Sequence, residues 1–344
     1  MPHAMTRRRL LLGAAASLGG RDPTGPGPSL AQAARRAGRD YGAAVRMDYL
    51  RRDADYRRAV LFECATLTPE VELKWAAIEA ERGVLTFSEM DELADLARTH
   101  RKRIDGHTLL WHASIPAWAV SDMAERRDWG PVSRYIQTVM PRYADLTARW
   151  DVVNEPIAED HGVDGLRASP FLAAFGPDYI RRALETARAA APHAKLAIND
   201  FGFERDTPID EVRRRRLLRL LGDLIKAGAP LDIVGLESHL DLGVKRLPAE
   251  RLAAFLREIA VRGLAIHVTE LDVKEADYPL PATRRDERVA QAVKSYLDVV
   301  LAQPATRSVT TWGLTDRYSW LEVTPADLAR FPNDWKDGSS PGLN

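Results

Sequence analysis

The sequence predicts a single closed (β/α)8 barrel. Eight strand-like apolar runs alternate with amphipathic helical stretches, the pattern of a fully parallel sheet with helices outside. No long Gly/Ser-rich or Pro-rich linker divides the 344 residues into separate units. Nearly every strand-like run also ends in polar or aromatic residues at its C-terminal end, and a barrel gathers those ends on one face. A doubly wound open sheet, the alternative for such an alternation, scatters them.

The elements follow in chain order. Strands are expected at Gly42 to Val45, Leu61 to Thr66, Arg103 to Trp111, Arg149 to Asn154, Lys195 to Asn199, Ile233 to Glu237, Ala265 to Glu270 and Ser308 to Leu314. Helices are expected at Ser88 to His100, Pro177 to Ala190, Glu211 to Ala227 and Pro248 to Val261. Ser88 and Asp210 are candidate caps, and Pro177 and Pro248 suit a first turn. Ahead of these, Arg7-Arg8-Arg9 precedes a short apolar run and small residues, with Ala31-Gln32-Ala33 as one cleavage site. Residues 1–33 are therefore read as a twin-arginine-type export signal or tail, and 34–344 as the barrel. The expected location is periplasmic or secreted.

With 49 basic and 49 acidic residues the formal net charge is zero, so nothing draws the chain toward nucleic acid or an anionic membrane. A neutral substrate is expected. The single cysteine, Cys64, excludes an intrachain disulfide and a Cys-rich metal cage; it is read as a small buried core residue.

The polar strand ends carry the chemistry. In WDVVNEP, Val152 and Val153 favour extended structure, while Asn154 and Glu155 follow where desolvation needs a partner or a task. Thr269-Glu270 ends a second strand in an equivalent place. Two carboxylates about 5 Å apart across a barrel mouth suit a retaining glycosidase, one as nucleophile and one as acid/base. Their environments must then split their pKa values. His107, His112 and His239 raise the question of a divalent metal, but their spacing does not match a helical metal motif; no metal and no cofactor are expected. Glu237 and His239 are two apart, so on an extended strand they point the same way and bring His239 beside Glu270. Trp75, Trp111, Trp312 and Trp320 lie off any helical stripe, and flat aromatic faces suit a pyranose.

TPEVELKW (68–75), GHTLLWH (106–112), WDVVNEP (150–156), IND (198–200), GLESH (235–239), TELDV (269–273) and WGLTDRYSW (312–320) together resemble glycoside hydrolase family 10, the retaining endo-β-1,4-xylanases, in order and spacing. The resemblance spans about Tyr41 to Trp320. It implies Glu155 as acid/base, Glu270 as nucleophile, and Asn154 on the sugar 2-hydroxyl. It implies further that Glu70, Lys74, His107 and Trp111 grip the non-reducing side, that His239 orients the nucleophile, and that Trp312 and Trp320 cover the cleft. The partner it implies is xylan, with a monomeric enzyme.

Four departures stand out against the family's usual pattern. Val71 replaces an asparagine that bonds the second sugar. Glu237, counted with the substrate-binding residues, replaces a glutamine, and its charge is expected to shift the pH optimum. Phe201 and Gly202 replace tyrosine and asparagine on the leaving-group side. The segment FPNDWKDGSSPGLN shows no helical period where a closing helix is expected, which predicts an exposed apolar strip and lower stability. Two other readings stay open: a related retaining enzyme acting on β-glucan or aryl xylosides, and a catalytically idle carbohydrate-binding barrel.

Overall fold

The computed structural model describes residues 27–158, 164–275 and 279–322. Ten strands follow in order: β1 (Asp40–Val45), β2 (Thr66–Pro69), β3 (Arg103–Gly106), β4 (Leu110–Trp111), β5 (Thr147–Asn154), β6 (Lys195–Asp200), β7 (Ile233–Leu236), β8 (His239–Asp241), β9 (Ala265–Lys274) and β10 (Thr306–Thr311). Eight of them, in the order β1-β2-β3-β5-β6-β7-β9-β10, pair in parallel, and β10 returns to β1 through Asp40↔Ser308 and Tyr41↔Val309. The cylinder is closed, as expected. The short β4 and β8 extend the wall at one end by pairing with β5 and β9.

The helices explain why the cylinder stays closed. In Ser88–Thr99 the buried side chains are Met90, Leu93, Ala94 and Ala97, one helical stripe facing the sheet. Each large apolar residue buried this way contributes about 1.5–3 kcal/mol. Cys64 is fully buried in the same core, as read from the sequence.

Several expected elements differ. Leu61 to Thr66 is not one strand: Ala54–Glu63 is a helix, capped by Asp53 through the amides of Asp55 and Tyr56, and β2 starts at Thr66. Its buried residues Tyr56, Val60 and Glu63 recur at helical spacing, a period masked by the apolar run Ala59 to Phe62. Thr207, not Asp210, caps Pro208–Lys226, accepting from the Asp210 amide at 3.1 Å. Ser88 lies inside its helix, behind Phe87. Pro248 stands one residue before Ala249–Ala260, at the cap itself.

At the front, Leu30–Arg36 is a helix with a capping box between Ser29 and Gln32. It holds to the barrel through the Leu30 amide, which donates to Glu63 Oε2 at 2.8 Å. The expected boundary at residue 33 and the Ala31-Gln32-Ala33 segment therefore fall within this helix. The arginine-rich leader and the C-terminal segment FPNDWKDGSSPGLN lie outside the described residues.

Candidate active site

Asn199, at the end of β6, joins the strand ends into one network. Its Nδ2 donates to Asn154 Oδ1 (2.9 Å), Glu270 Oε1 (2.8 Å) and Glu237 Oε1 (3.1 Å). Three acceptors share two hydrogens, so the amide is fully committed. Thr269 completes the clamp by donating its hydroxyl to Asn199 Oδ1 at 2.6 Å. Gly235 on β7 makes room for this: a Cβ there would meet Asn199 Oδ1 at 2.1 Å. Asn199 was absent from the expected site residues, because its role rests on partners 38 to 71 residues away that only the fold brings together.

Glu155 follows β5 in a left-handed conformation (φ 54°), with its amide donating to the Asn199 carbonyl at 2.8 Å. Such a φ is costly outside glycine and turns the chain out of the strand. The carboxylate accepts from Asn154 Nδ2 at 3.3 Å and lies 3.8 Å from His112 Nδ1 and 4.0 Å from Arg167 Nη2. Burial raises its pKa; Arg167 and the Trp111 indole oppose this, and the charge of Glu270 adds to it. Arg167 also donates to the Glu155 carbonyl at 2.9 Å. It sits twelve residues beyond Glu155 in a loop, where no sequence pattern marks it. Beneath it, the fully buried Arg213 pairs with Asp200 and stacks 4.1 Å from the Phe201 ring. Gly202 (φ 75°) leaves room for Asp210 and Arg213, which a Cβ would meet at 2.8 and 2.9 Å. Phe201 and Gly202 thus belong to a buried ion-pair seat.

Glu270 lies within β9, its amide donating to the Glu237 carbonyl at 3.1 Å. His239 reaches both acids: its Nε2 stands 3.5 Å from Glu237 Oε2 and 3.5 Å from Glu270 Oε2. Its Nδ1 pairs with Asp272 Oδ1 at 2.8 Å, and the other Asp272 oxygen accepts from Trp320 Nε1. The convergence is as expected, but its cause differs. Ser238 (φ 65°) interrupts the strand between Glu237 and His239, so a kink rather than a continuous extended segment brings the two together. Burial lowers the His239 pKa, yet Asp272, Glu237 and Glu270 outweigh it and hold the imidazole well above its ordinary value. Glu237 is raised well above the usual carboxylate range by burial, then by Glu270 and Glu155.

Neighbouring side chains hold each of the remaining expected residues. Lys74 Nζ lies 4.1 Å over the Trp111 ring, a cation–π contact that fixes both. Glu70 is partly buried, and lost solvation raises its carboxyl to about 7 against the pull of Arg46 and Lys74. His107 Nδ1 pairs with Asp151 Oδ2 at 3.0 Å, and its ring meets Trp312 edge-on at 5.3 Å. Trp320 meets His239 edge-on at 5.2 Å. Trp75 differs from expectation. It is 1% exposed, stacked on Tyr135 at 5.1 Å and bonded to Glu79, so it fills the core rather than facing a sugar. The three histidines pair separately, His107 with Asp151, His112 with Glu155 and His239 with Asp272.

The opposite mouth holds a cavity of about 450 Å³ between the strand starts. Three ion pairs line it: Arg103 with Asp40, Arg149 with Asp105, and Lys195 with Asp232. None of the residues read as catalytic lines it.

Residues 29–336 match the family described as glycosyl hydrolase family 10. "Endo-1,4-beta-xylanase 1" of Humicola insolens is 34% identical over 86% of this chain and 68% of its own length. "Endo-1,4-beta-xylanase C" of Phanerodontia chrysosporium is 34% identical over 75% of this chain, which spans 62% of that relative. Among solved structures, xylanase 10B from Thermotoga petrophila RKU-1 in complex with xylobiose superposes with a TM-score of 0.75. It is 26% identical over 88% of this chain and 89% of its own. The Thermobacillus composti GH10 xylanase superposes with a TM-score of 0.72 at 30% identity, over 86% of this chain and 90% of its own.

Proposed function

This chain belongs to glycosyl hydrolase family 10, and from that premise we propose that it is a retaining endo-1,4-β-xylanase that cuts internal bonds of xylan by double displacement. The observation that carries the reading is the Asn199 amide, which ties Glu270 to Asn154 and, through Asn154, to Glu155.

Glu270 attacks the anomeric carbon from one face. Glu155, whose pKa burial raises, gives its proton to the departing sugar oxygen. A glycosyl–enzyme ester forms on Glu270. Glu155, now ionised, takes a proton from water, which attacks the same carbon and releases Glu270. His239, fixed by Asp272, points its Nε2 at Glu270 and orients it. Asn154 holds the sugar 2-hydroxyl, where a bond that tightens in the transition state lowers the barrier. Glu70, Lys74, His107 and Trp111 grip the chain on the non-reducing side, Glu237 contributes to binding beside the nucleophile, and Trp312 and Trp320 cover the cleft. No cofactor is required, and the enzyme acts as a monomer.

The N-terminal Arg7 to Leu12 segment directs export; among the described residues no helix is long and apolar enough to cross a membrane. The mature terminus read after secretion tests this.

Product sizing on xylan and on β-glucan tests the substrate. Short xylo-oligosaccharides appearing early from xylan support the reading. Faster cleavage of β-glucan overturns the specificity, and binding of xylan without cleavage overturns the enzyme.

A further inference from the structure

Glu237, His239 and Glu270 each direct one donor atom into a common space, all within 4.8 Å of one another, and all three residues are more than nine-tenths buried. We propose that these three side chains form a binding site for a zinc-type divalent cation, which shuts off the nucleophile when occupied.

The two separations from His239 fit such an ion. In a tetrahedral zinc site with bonds of about 2.0–2.1 Å, neighbouring ligand atoms stand about 3.3–3.4 Å apart. His239 Nε2 already stands 3.5 Å from Glu237 Oε2 and 3.5 Å from Glu270 Oε2. Those separations are long for hydrogen bonds and close to the edges of that polyhedron.

The supporting shell is in place as well. A ligating histidine needs its other ring nitrogen held by a carboxylate, which fixes the tautomer and the ring plane. Asp272 does this at 2.8 Å from His239 Nδ1 and is itself held by Trp320. Both carboxylates are anchored through their Oε1 atoms by the Asn199 amide, and the ion takes the place of the proton that His239 Nε2 directs at their Oε2 atoms, so binding releases that proton. Two carboxylates and an imidazole favour zinc-type ions over magnesium or calcium, which prefer all-oxygen shells.

The site depends on Glu237, because an amide in its place supplies no anionic ligand. Coordination engages the Glu270 electrons needed to attack the sugar, so occupancy competes with xylan. This consequence rests on Glu270 being the nucleophile; the binding site itself does not.

The test is calorimetric titration of zinc chloride into metal-free protein, wild type and Glu237→Gln, with melting curves to show that both are folded. Cobalt(II) serves as a second probe, its visible absorption reporting a tetrahedral environment. Removing an outer-shell partner typically costs 10–100-fold in metal affinity, so losing a direct ligand should weaken binding by more than about 10-fold. The expected result is one ion per wild-type chain, that weakening in Glu237→Gln, and zinc inhibition of xylan hydrolysis that xylan relieves. Equal affinity in the two proteins, or no binding by the wild type at millimolar zinc, overturns the proposal. Zinc binding that depends on Glu237, in a protein that cleaves no xylan even when metal-free, upholds the cation site and contradicts the xylanase reading instead.

Discussion

The two mouths of this barrel are built from the same strands and treat charge in opposite ways. At the starts of the strands each buried or half-buried acid has a cation: Asp105 has Arg149, and Asp232 has both Arg188 and Lys195. At the ends, Glu237 and Glu270 share the neutral Asn199 amide, and Glu155 takes the neighbouring Asn154 amide. Paired charges hold a structure; like charges pressed together store chemistry, because one of them must keep a proton. The 450 Å³ cavity at the first mouth is therefore the less informative of the two spaces, despite its size.

The comparison breaks first at the acids. Glu270→Ala should abolish turnover, lowering kcat on xylan by about 10⁴-fold or more, while the melting temperature holds. Glu155→Ala should cost about 10²–10⁴-fold on xylan and markedly less on an aryl xyloside, whose leaving group needs little protonation. Equal losses on both substrates would remove Glu155 from the acid role.

Gly235→Ala comes next. Its Cβ must displace Asn199 Oδ1, so kcat should fall by about 10–10²-fold with a smaller change in KM, as positioning is lost. An unchanged kcat would mean that the amide hub is structural only.

At the other mouth Asp232→Ala should do the reverse. It removes the acceptor for Arg188, Lys195 and the Leu196 amide and should cost about 1–2 kcal/mol after allowing for solvent screening. The activity of the folded protein should be unchanged. Burial raises the Asp232 pKa, but the Leu196 amide, Lys195 and Arg188 outweigh it and hold it low. Its contribution is thus present above the unfolded pKa and lost as pH falls through the folded value. Acid melts of the two proteins should converge.

The smallest effect expected is a shift in pH profile. In the proposed role of acid, Glu155 acts while protonated, so activity should fall as pH rises through its raised pKa. Arg167 opposes that rise; Arg167→Met should therefore move the alkaline limb of kcat/KM upward. A downward move would contradict the assignment.

The barrel was legible because parallel strands buried on both faces read as apolar runs and their polar ends fall at regular places. Glu155, Glu270, His239, Trp111 and Lys74 come together as expected because the motifs that hold them sit at those ends. Other features were not legible, for stated physical reasons. The helix Ala54–Glu63 carries an apolar run that imitates a strand. Asn199 takes its role from side chains on other strands, and Arg167 sits in a loop whose path tertiary contacts decide. Trp75 cannot be told from a sugar platform until Tyr135 is seen beneath it.

Double displacement requires Glu270 to bond covalently to the sugar before water replaces it. Proton NMR of the first-formed product from a xylo-oligosaccharide tests this most directly, by its anomeric configuration. The β-anomer, retained through two inversions, should form first, with the α-anomer appearing later by mutarotation. An α-anomer formed first would mean a single inversion and would contradict the account.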